Sequence, residues 1–316
     1  MNEKLRGPVL EALEKAKQVV FGQEKMLEAI TAALVCEGHL LIEGMPGLAK
    51  TLSVNVMAKL CNLDFKRVQF TPDLLPSDLI GTMVYNHANA TFSTKFGPIF
   101  TQLLLADEIN RSPAKVQAAL LEAMAEKQVT IGEVSHRLKS PFVVMATQNP
   151  IEQEGTYPLP EAQLDRFMMK IAIGYPDEAA EMKILDLKKS SFEELTGVLN
   201  AQTLFELQKE VESVYVDNKI KELIVKLVRA TRPENKLLPP EIAPAVTAGC
   251  SPRATIWLYK IAKFKAYMDQ KDFVSPEHIL QIVEDVMGHR MHLSYEAALD
   301  GITGRSVALK VAHSLL

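Results

Sequence analysis

One stretch decides the fold of this chain: Leu40-Leu41-Ile42-Glu43-Gly44-Met45-Pro46-Gly47-Leu48-Ala49-Lys50-Thr51. Apolar residues lead into a glycine-containing turn that ends on lysine and threonine, and an apolar segment from Leu52 to Leu60 follows. This order is typical of a strand, a phosphate-binding loop and the N-terminus of a helix. The alternative is a chance glycine turn in front of the lysine and threonine, and the rest of the chain has to decide between the two.

Such a loop supplies the contacts that a triphosphate needs. Backbone N–H groups at a helix N-terminus donate to phosphate oxygens, and the helix dipole favours their negative charge. Glycine lets the backbone turn tightly and approach the phosphates without a Cβ atom in the way. The Lys50 ammonium can reach the β- and γ-phosphates, and the Thr51 hydroxyl can ligate Mg²⁺. We therefore expect ATP with Mg²⁺ as ligands, and we expect the nucleotide to contact Gly44, Pro46, Gly47, Leu48, Ala49, Lys50, Thr51 and Leu52.

Composition places the chain among ordinary globular proteins. Of its 316 residues, 47% are hydrophobic and 23% are charged, and this length suits two domains. The formal net charge of -4 argues against a nucleic-acid-binding protein, for which a basic domain is expected. The three scattered cysteines indicate reduced thiols, and the sequence has no signal peptide and no apolar run of about 20 residues. We therefore expect a cytoplasmic protein without a membrane span.

A second informative stretch is Leu103-Leu104-Leu105-Ala106-Asp107-Glu108. A continuous apolar run indicates a strand that is buried on both faces, and two carboxylates at its end are costly unless they serve a purpose. Behind a phosphate loop, Asp107 would lie near Mg²⁺ and Glu108 would polarise the attacking water. The alternative is a strand that simply ends in solvated acidic residues.

A further buried strand ends in the polar residues Thr147-Gln148-Asn149. Ligands of parallel α/β sheets bind at the carboxyl ends of the strands, so the phosphate loop, the acidic pair and this polar end should meet at one edge. The Asn149 amide can bond both the attacking water and a γ-phosphate oxygen. It could also be a plain turn residue before Pro150.

Other features leave more than one interpretation open. Phe21 and Gly22, in the turn after Val20, could contact the adenine ring, although Phe21 could equally be a core residue between two helices. Residues 83–96 predict a short hairpin or a loop inserted into a helix, and residues 129–138 predict a second projecting hairpin. The pair Ser112-Pro113 predicts a helix start, with the serine as N-cap and the proline at the first helical position.

The chain changes character at Gly174-Tyr175-Pro176-Asp177. Strand-like runs stop there and amphipathic helices take over, of which Asp217 to Arg229 is the clearest. We predict an α/β nucleotide-binding domain over residues 1–174 and a small all-helical domain over residues 175–316. A closing helix is expected from Gly304 to Leu316.

Two arginines are candidates for phosphate contacts. Arg166 lies at a predicted junction between a helix and a strand, where it could pair with a neighbouring acid or reach a nucleotide on an adjacent subunit. Arg253 follows Ser251, the predicted N-cap of a helix, and the helix dipole disfavours a cation in the first turn. A phosphate would offset that cost, although a single exposed arginine at a helix start is also common.

Together these motifs resemble the MoxR family of AAA+ ATPases. The resemblance rests on Gly44–Thr51, Leu104–Arg111, Ala146–Pro150 and Leu159–Phe167, and it covers nearly the whole chain. Ala49 stands where the general phosphate-loop pattern has glycine, and it agrees with this family. The resemblance implies an α/β fold: an AAA+ P-loop core with a central, mostly parallel five-stranded sheet, a helix-2 insert at residues 83–96 and a pre-sensor-1 hairpin at residues 127–138. A small all-α lid domain would follow.

The resemblance also implies roles for individual residues. These are the Walker A groups Lys50 and Thr51, the Walker B pair Asp107 and Glu108, sensor 1 at Asn149, sensor 2 at Arg253, and an arginine finger at Arg166 that acts on a neighbour's nucleotide. Members of the family form ring hexamers and are thought to work as chaperone-like remodelers. Their usual partners carry von Willebrand factor A domains.

We therefore expect an ATPase that works as a homo-oligomer, in a hexameric ring, and remodels protein partners. The alternatives are a DNA-dependent motor and a nucleotide-gated binding switch with little turnover. The predicted hairpins carry too few basic residues to favour binding along a nucleic-acid phosphate backbone. The first contains Lys95, and the second contains Lys127, Arg137 and Lys139 alongside Glu133. A pure switch would not need Glu108.

Overall fold

The structure is a computed structural model that describes residues 5–88, 90–150, 156–235 and 237–315, and at Lys189 the backbone alone. The chain divides into two compact units. The first contains Gly7–Arg166 and Ile171–Leu204. The second contains Phe167–Lys170 and the chain from Phe205 onward.

Helices and strands alternate along the first two thirds of the chain. The helices are α1 (Arg6–Lys17), α2 (Glu24–Cys36), α3 (Lys50–Leu60), α4 (Pro76–Ile80), α5 (Ala114–Glu126), α6 (Glu161–Leu164), α7 (Glu178–Leu185), α8 (Lys189–Glu193) and α9 (Ala201–Glu212). The strands are β1 (Leu40–Glu43), β2 (Phe65–Gln69), β3 (Gly81–Asn86), β4 (Thr91–Phe96), β5 (Leu103–Asp107), β6 (Gln128–Ile131), β7 (Val134–Arg137), β8 (Val143–Gln148) and β9 (Met169–Ala172).

A five-stranded sheet with the order β2-β5-β8-β1-β9 forms the centre of the fold, as predicted. β2 pairs with β5, β5 with β8 and β8 with β1, and all three pairings are parallel. Every residue of β5 is buried, and so are the first five residues of β8. These apolar runs are therefore strands covered on both faces, as their composition indicated.

The strand β2 lies at the end of the sheet and has a different character. Its side chains alternate between two faces, with Arg67 and Gln69 on one and Lys66 and Val68 on the other. Arg67 and Gln69 are exposed, whereas Val68 is buried. In the register with β5, Arg67 lies opposite Leu105 and Gln69 opposite Asp107, which places both polar side chains on the face of Asp107.

Both predicted hairpins are present. β3 and β4 form an antiparallel pair in which Gly81 lies opposite Phe96 and Asn86 opposite Thr91. Asn89, in the predicted turn of this insertion, lies outside the described residues. β6 and β7 form the second pair, which turns at Gly132, where φ is +65°.

The predicted helix start at Ser112-Pro113 is wrong by one residue. Residues Ile109–Arg111 form a 3-10 turn, and α5 begins at Ala114 with Pro113 in the N-cap position. The Ser112 hydroxyl donates to the carbonyl of Ile109 (3.2 Å) and is therefore not used as a helix cap. Short polar side chains often make such local backbone contacts in place of capping.

The second unit is mainly helical. It contains α10 (Asn218–Ala230), α11 (Pro252–Met268), α12 (Pro276–Leu280), α13 (Val283–Met287), α14 (Tyr295–Leu299) and α15 (Gly304–Leu315). Short 3-10 turns cover Ala243–Ala245 and Gly288–Arg290, and a small antiparallel ladder joins β10 (Val246–Ala248) to β11 (His292–Leu293). The closing helix is present where it was expected, although Leu316 lies outside the described residues.

The first unit extends past residue 174, where the sequence predicted a domain boundary. The carbonyl of Leu60, at the end of α3, accepts from the N–H groups of Val198 (2.8 Å) and Leu199 (2.9 Å). The Asn62 amide donates to the carbonyl of Leu199 (2.8 Å), and the Lys59 ammonium donates to that of Phe192 (2.7 Å). These contacts tie the segment before residue 205 to α3. The division at 174 stays a prediction about domains.

Cys36, Cys61 and Cys250 form no disulfide within the part of the chain that the structure describes. Within the described ranges, no helix is both long enough and apolar enough to cross a membrane.

Candidate active site

Three strand ends meet at one edge of the central sheet. β1 ends at Glu43, β8 at Gln148 and β5 at Asp107. Glu43 lies opposite Gln148, and the N–H of Gly44 donates to the carbonyl of Gln148 (3.2 Å). Because the three strands are parallel neighbours, the phosphate loop, the acidic pair and the polar end of β8 lie side by side, as predicted.

The loop after β1 has the backbone conformation that its glycines suggested. Gly47 has φ of +85°, in the left-handed region, and Ala49 caps α3 with φ of +57°. α3 begins directly at Lys50, so the first-turn N–H groups have no partner within the helix and can face an anion.

At Gly44, packing against a neighbouring side chain explains the glycine. A Cβ atom at this position would come within 2.5 Å of Cγ1 of Ile173, so the strand end is packed too closely for any side chain. The requirement at Gly44 is therefore one of packing within the protein.

The Lys50 side chain folds back across the loop. Its ammonium donates to the carbonyl of Gly44 (2.6 Å), and the residue is only 9% exposed. A mostly buried ammonium needs anionic or hydrogen-bonding partners, and this one lies beside the acidic end of β5.

A cleft of about 360 Å³ opens over this loop. It is lined by Pro46, Gly47, Ala49, Lys50, Thr51, Leu52, Asp107 and Glu108. Six of the ten residues expected to contact the nucleotide therefore share one cleft with both acidic residues. Gly44 and Leu48 do not line it, and Leu48 is buried.

Phe21 and Gly22 also lie outside the lining of this cleft. Phe21 is half-buried. Gly22 has φ of +69°, and a Cβ atom there would come within 2.6 Å of Cβ of Pro176, so a packing requirement explains its glycine. The contact of these residues with adenine stays a prediction.

Asp107 is held on both of its carboxylate oxygens. Oδ1 accepts from the Thr147 hydroxyl (2.6 Å), and Oδ2 accepts from Nε (3.0 Å) and Nη2 (2.7 Å) of Arg67. The Thr51 hydroxyl lies 3.4 Å from the same Oδ2. The two side chains that were predicted to hold a cation are therefore neighbours.

Glu108 sits in a strained backbone conformation. Its φ is +56°, which is uncommon for a residue with a side chain. Its N–H donates to the Thr147 hydroxyl (2.9 Å), and its Oε2 accepts from the Gln69 amide (2.6 Å) and from Nη1 of Arg111 (3.2 Å). Strain that the surrounding contacts maintain is typical of functional positions.

The donor set fits Mg²⁺. Thr51 and Asp107 offer hard oxygen atoms in the same cleft, and Mg²⁺ is usually bound by one or two carboxylates together with substrate phosphates and water. Among the described residues there is no group of three or more His, Cys, Asp or Glu side chains that could form a dedicated metal cage.

The remaining predicted residues occupy separate places. Asn149 follows β8 and is 7% exposed. Arg166 follows α6, is half-buried, and donates from Nη1 to the carbonyl of Leu121 (2.8 Å). Arg253 lies in the first turn of α11 and is exposed. Its backbone N–H donates to the hydroxyl of Ser251 (3.2 Å), which confirms the prediction that Ser251 is the N-cap. Asn149, Arg166 and Arg253 do not line the cleft described above.

Sequence reasoning missed the residues that hold the acidic pair. Arg67, Gln69 and Arg111 contact Asp107 or Glu108 from β2 and from the turn after β5. The available signal was the spacing of Arg67 and Gln69, which stand two positions apart and therefore on one face of a strand. Thr147 was part of the polar strand end, but its two hydrogen bonds become visible only from the register of β8.

Gln117, on α5, was also missed. Its fully buried amide donates to the carbonyls of Ser112 (3.1 Å), Tyr157 (3.0 Å) and Ile109 (3.3 Å). The side chain therefore joins the turn after Glu108 to the segment that begins at residue 156.

Comparison with known protein families agrees with this geometry. Residues 39–169 match the family described as "ATPase family associated with various cellular activities (AAA)", and residues 241–309 match an AAA lid domain. The first match spans all three strand ends and both hairpins. The second begins and ends within the helical unit.

Individual relatives match along nearly the whole chain. Chaperone MoxR1 of Mycobacterium tuberculosis is 40% identical, over 96% of this chain and 81% of the relative. The uncharacterized protein YeaC of Bacillus subtilis is 43% identical, over 96% of this chain and 93% of the relative. The protein MoxR of Methylorubrum extorquens is 30% identical, over 89% of this chain and 86% of the relative.

The fold also matches a crystal structure of a candidate ATPase from Cytophaga hutchinsonii. The TM-score is 0.92 with 44% sequence identity, and the match covers 99% of this chain and 96% of the other.

Proposed function

The chain belongs to the MoxR family of AAA ATPases, and on that premise we propose that it hydrolyses Mg-ATP at the subunit interfaces of a ring oligomer to remodel or activate protein partners. The observation that carries this proposal is the single cleft that Lys50, Thr51, Asp107 and Glu108 share. A phosphate-binding lysine, two cation ligands and a carboxylate for water are the parts that phosphoryl transfer to water requires.

Each residue of the site would have its own role in binding or hydrolysis. Lys50 and the first-turn N–H groups of α3 would bind the phosphates, and Thr51 and Asp107 would hold the cation. Mg²⁺, when bound, would neutralise charge that develops on the phosphates. Glu108 would orient the attacking water, and Asn149 would act as sensor 1 beside it. Arg253 would act as sensor 2.

We assign the arginine finger to Arg166. It does not line the cleft of its own chain among the described residues, and its guanidinium is directed to the carbonyl of Leu121. Both observations are compatible with action on a neighbouring subunit's nucleotide. An arginine supplied in trans can accelerate phosphoryl transfer by about 10³–10⁵-fold.

Protein partners fit the projecting hairpins better than nucleic acid does. The hairpin of β3 and β4 exposes large apolar side chains, notably Tyr85, Phe92 and Phe96, while Lys95 is the charged residue of these two strands. Such a surface lacks the basic groove that tracks a phosphate backbone. We propose a hexameric ring, protein clients that carry von Willebrand factor A domains, and a cytoplasmic location, all by analogy with the family.

The test is ATPase activity as a function of protein concentration, with the oligomer mass measured on the same samples. We expect the specific activity of the wild type to rise with concentration. Arg166→Ala should still assemble and should lose at least about 10³-fold in turnover. The control is Arg229→Ala, which removes an exposed arginine from the last turn of α10 and should behave as wild type. Activity that is independent of concentration and unaffected by Arg166→Ala would contradict the proposal.

A further inference from the structure

The Arg67 guanidinium is hydrogen-bonded to the Asp107 oxygen atom that a bound cation would need. Both Nε (3.0 Å) and Nη2 (2.7 Å) of Arg67 donate to Oδ2 of Asp107. The Thr51 hydroxyl lies 3.4 Å from that same oxygen, whereas Oδ1 is turned to Thr147. Oδ2 is thus the oxygen on the side of the predicted cation ligand, and the guanidinium occupies it.

We propose that Arg67 is a positioning residue that competes with the divalent cation for Oδ2 of Asp107. In the nucleotide-free protein, it would neutralise the carboxylate and hold its orientation. When the nucleotide brings a cation, the guanidinium would have to leave this oxygen, so Arg67 lowers the affinity of the site for the cation. The proposal rests on the proposed function, because it takes the cleft to be a Mg-nucleotide site.

The position of Arg67 allows such an exchange. It lies on β2, at the end of the sheet, and its side chain is 49% exposed, whereas the Asp107 side chain is 11% exposed. The guanidinium can therefore move into solvent while the carboxylate stays in place. A partly exposed ion pair contributes little net free energy, so a divalent cation with phosphate ligands can displace it.

Loss of a proton cannot release the arginine, since a guanidinium stays charged at every physiological pH. Entry of a competing cation, or movement of the side chain into water, is therefore the route by which Oδ2 becomes available. A lysine at this position could not direct two fixed N–H groups to the same oxygen, because its ammonium is a single point of charge.

The experiment measures binding of a fluorescent, non-hydrolysable ATP analogue, once in Mg²⁺ and once in EDTA. The quantity of interest is the ratio of the two dissociation constants, which reports how much the cation strengthens nucleotide binding. Arg67→Met should raise this ratio by about fivefold over the wild type, the factor expected from loss of a partly exposed ion pair. Arg67→Lys should give an intermediate value.

Lys66→Met is the matched control. Lys66 is the exposed neighbour of Arg67 on the opposite face of β2, and its loss changes the net charge by the same amount. The ratio should stay at the wild-type value in this variant. Circular dichroism and thermal unfolding of all variants establish that each is folded.

Three results would overturn the inference. A ratio that falls in Arg67→Met because binding in Mg²⁺ weakens would make Arg67 a brace for Asp107 and not a competitor. Equal losses in Mg²⁺ and EDTA would make it a direct contact to the nucleotide. If the wild type does not bind the analogue in Mg²⁺, the proposed function itself fails, and this inference fails with it.

Discussion

At the residue scale, Asp107 and Glu108 share one hydrogen-bonding neighbour, Thr147. The Thr147 hydroxyl donates to Oδ1 of Asp107 and accepts from the N–H of Glu108, and the side chain is fully buried. The Thr147 hydroxyl therefore holds the side chain of Asp107, the predicted cation ligand. It also holds the strained backbone of Glu108, the predicted catalytic residue. The buried position means that water cannot replace it without rearrangement.

We predict that Thr147→Val lowers the ATPase rate about 10- to 100-fold, because a hydrogen bond to a charged group contributes about 1.5–3 kcal/mol. The valine keeps the shape of the side chain and removes the hydroxyl. Thr147→Ser keeps the hydroxyl and should retain most of the rate. Steady-state ATPase assays on the three proteins test this. Equal rates for Thr147→Val and the wild type would show that the hydroxyl does not position the pair.

A second residue-scale feature is a buried histidine beside the sheet. Nδ1 of His39 accepts from the N–H of Val144 (3.0 Å), so the neutral ring carries its proton on Nε2, which faces the carbonyl of Met124 (3.3 Å). The pKa of His39 is lowered from 6.5 to about 4, chiefly because the ring is buried. The Met124 carbonyl and Glu37 oppose this shift, and the nearby Lys127 adds to it. The folded protein therefore disfavours the charged ring.

The lowered pKa of His39 makes the free energy of unfolding depend on pH. Between pH 6.5 and 4 the unfolded chain binds a proton at this position that the folded chain does not. The free energy of unfolding should therefore be highest above pH 6.5 and fall by about 3 kcal/mol as the pH drops to 4. Other groups titrate in the same range, so the change is defined relative to a variant without the ring.

We predict that His39→Gln, which can still donate and accept hydrogen bonds, loses this component of the pH dependence. Urea unfolding at several pH values measures it, with His87→Gln as the control because His87 lies exposed after β3. The His87→Gln curve should follow the wild type. Parallel curves for His39→Gln and the wild type would mean that His39 does not account for the acid sensitivity.

At the element scale, the strands were predictable and their cross-strand partners were not. The apolar runs of β5 and β8, and the polar residues after each, are contiguous in sequence, so Asp107 and Glu108 could be placed at the same edge as Lys50. Arg67 and Gln69 could not be placed, because their contact with this pair depends on which strand lies next to β5. The helix after the acidic pair was predicted to start one residue early, because the Ser112 hydroxyl was assumed to cap it.

The loop after β1 yields a prediction at this scale. Gly44→Ala would place a Cβ atom 2.5 Å from Cγ1 of Ile173, and overpacking of this kind typically costs about 1–3 kcal/mol. We predict a lower thermal midpoint and weaker nucleotide binding for Gly44→Ala. Ile173→Ala removes Cγ1 and should restore part of the loss in the double variant.

Gly174→Ala is the control, since a Cβ atom there meets nothing within 4 Å and its φ is not positive. It should unfold at the same temperature as the wild type. A Gly44→Ala protein that loses nucleotide binding with no change in stability, and is not rescued by Ile173→Ala, would place the requirement for glycine at the ligand and not in the packing.

At the scale of the whole molecule, the proposed activity depends on two neighbouring chains. Each site would be completed by Arg166 of a neighbouring subunit, whereas Lys50, Thr51, Asp107 and Glu108 of one chain line the same cleft. The sequence could suggest this division because its motifs resemble the MoxR family, for which a ring is the expected assembly. It could not show the interface, which depends on surfaces of two chains.

The most direct measurement of this claim mixes two inactive variants. Glu108→Gln keeps a functional Arg166, and Arg166→Ala keeps a functional Glu108. In a randomly mixed ring, about one interface in four combines the intact glutamate of one subunit with the intact arginine of the next. We predict that mixing equal amounts under assembly conditions restores about a quarter of the wild-type ATPase activity. If the two variants demonstrably assemble together and no activity returns, Arg166 does not act across the subunit interface.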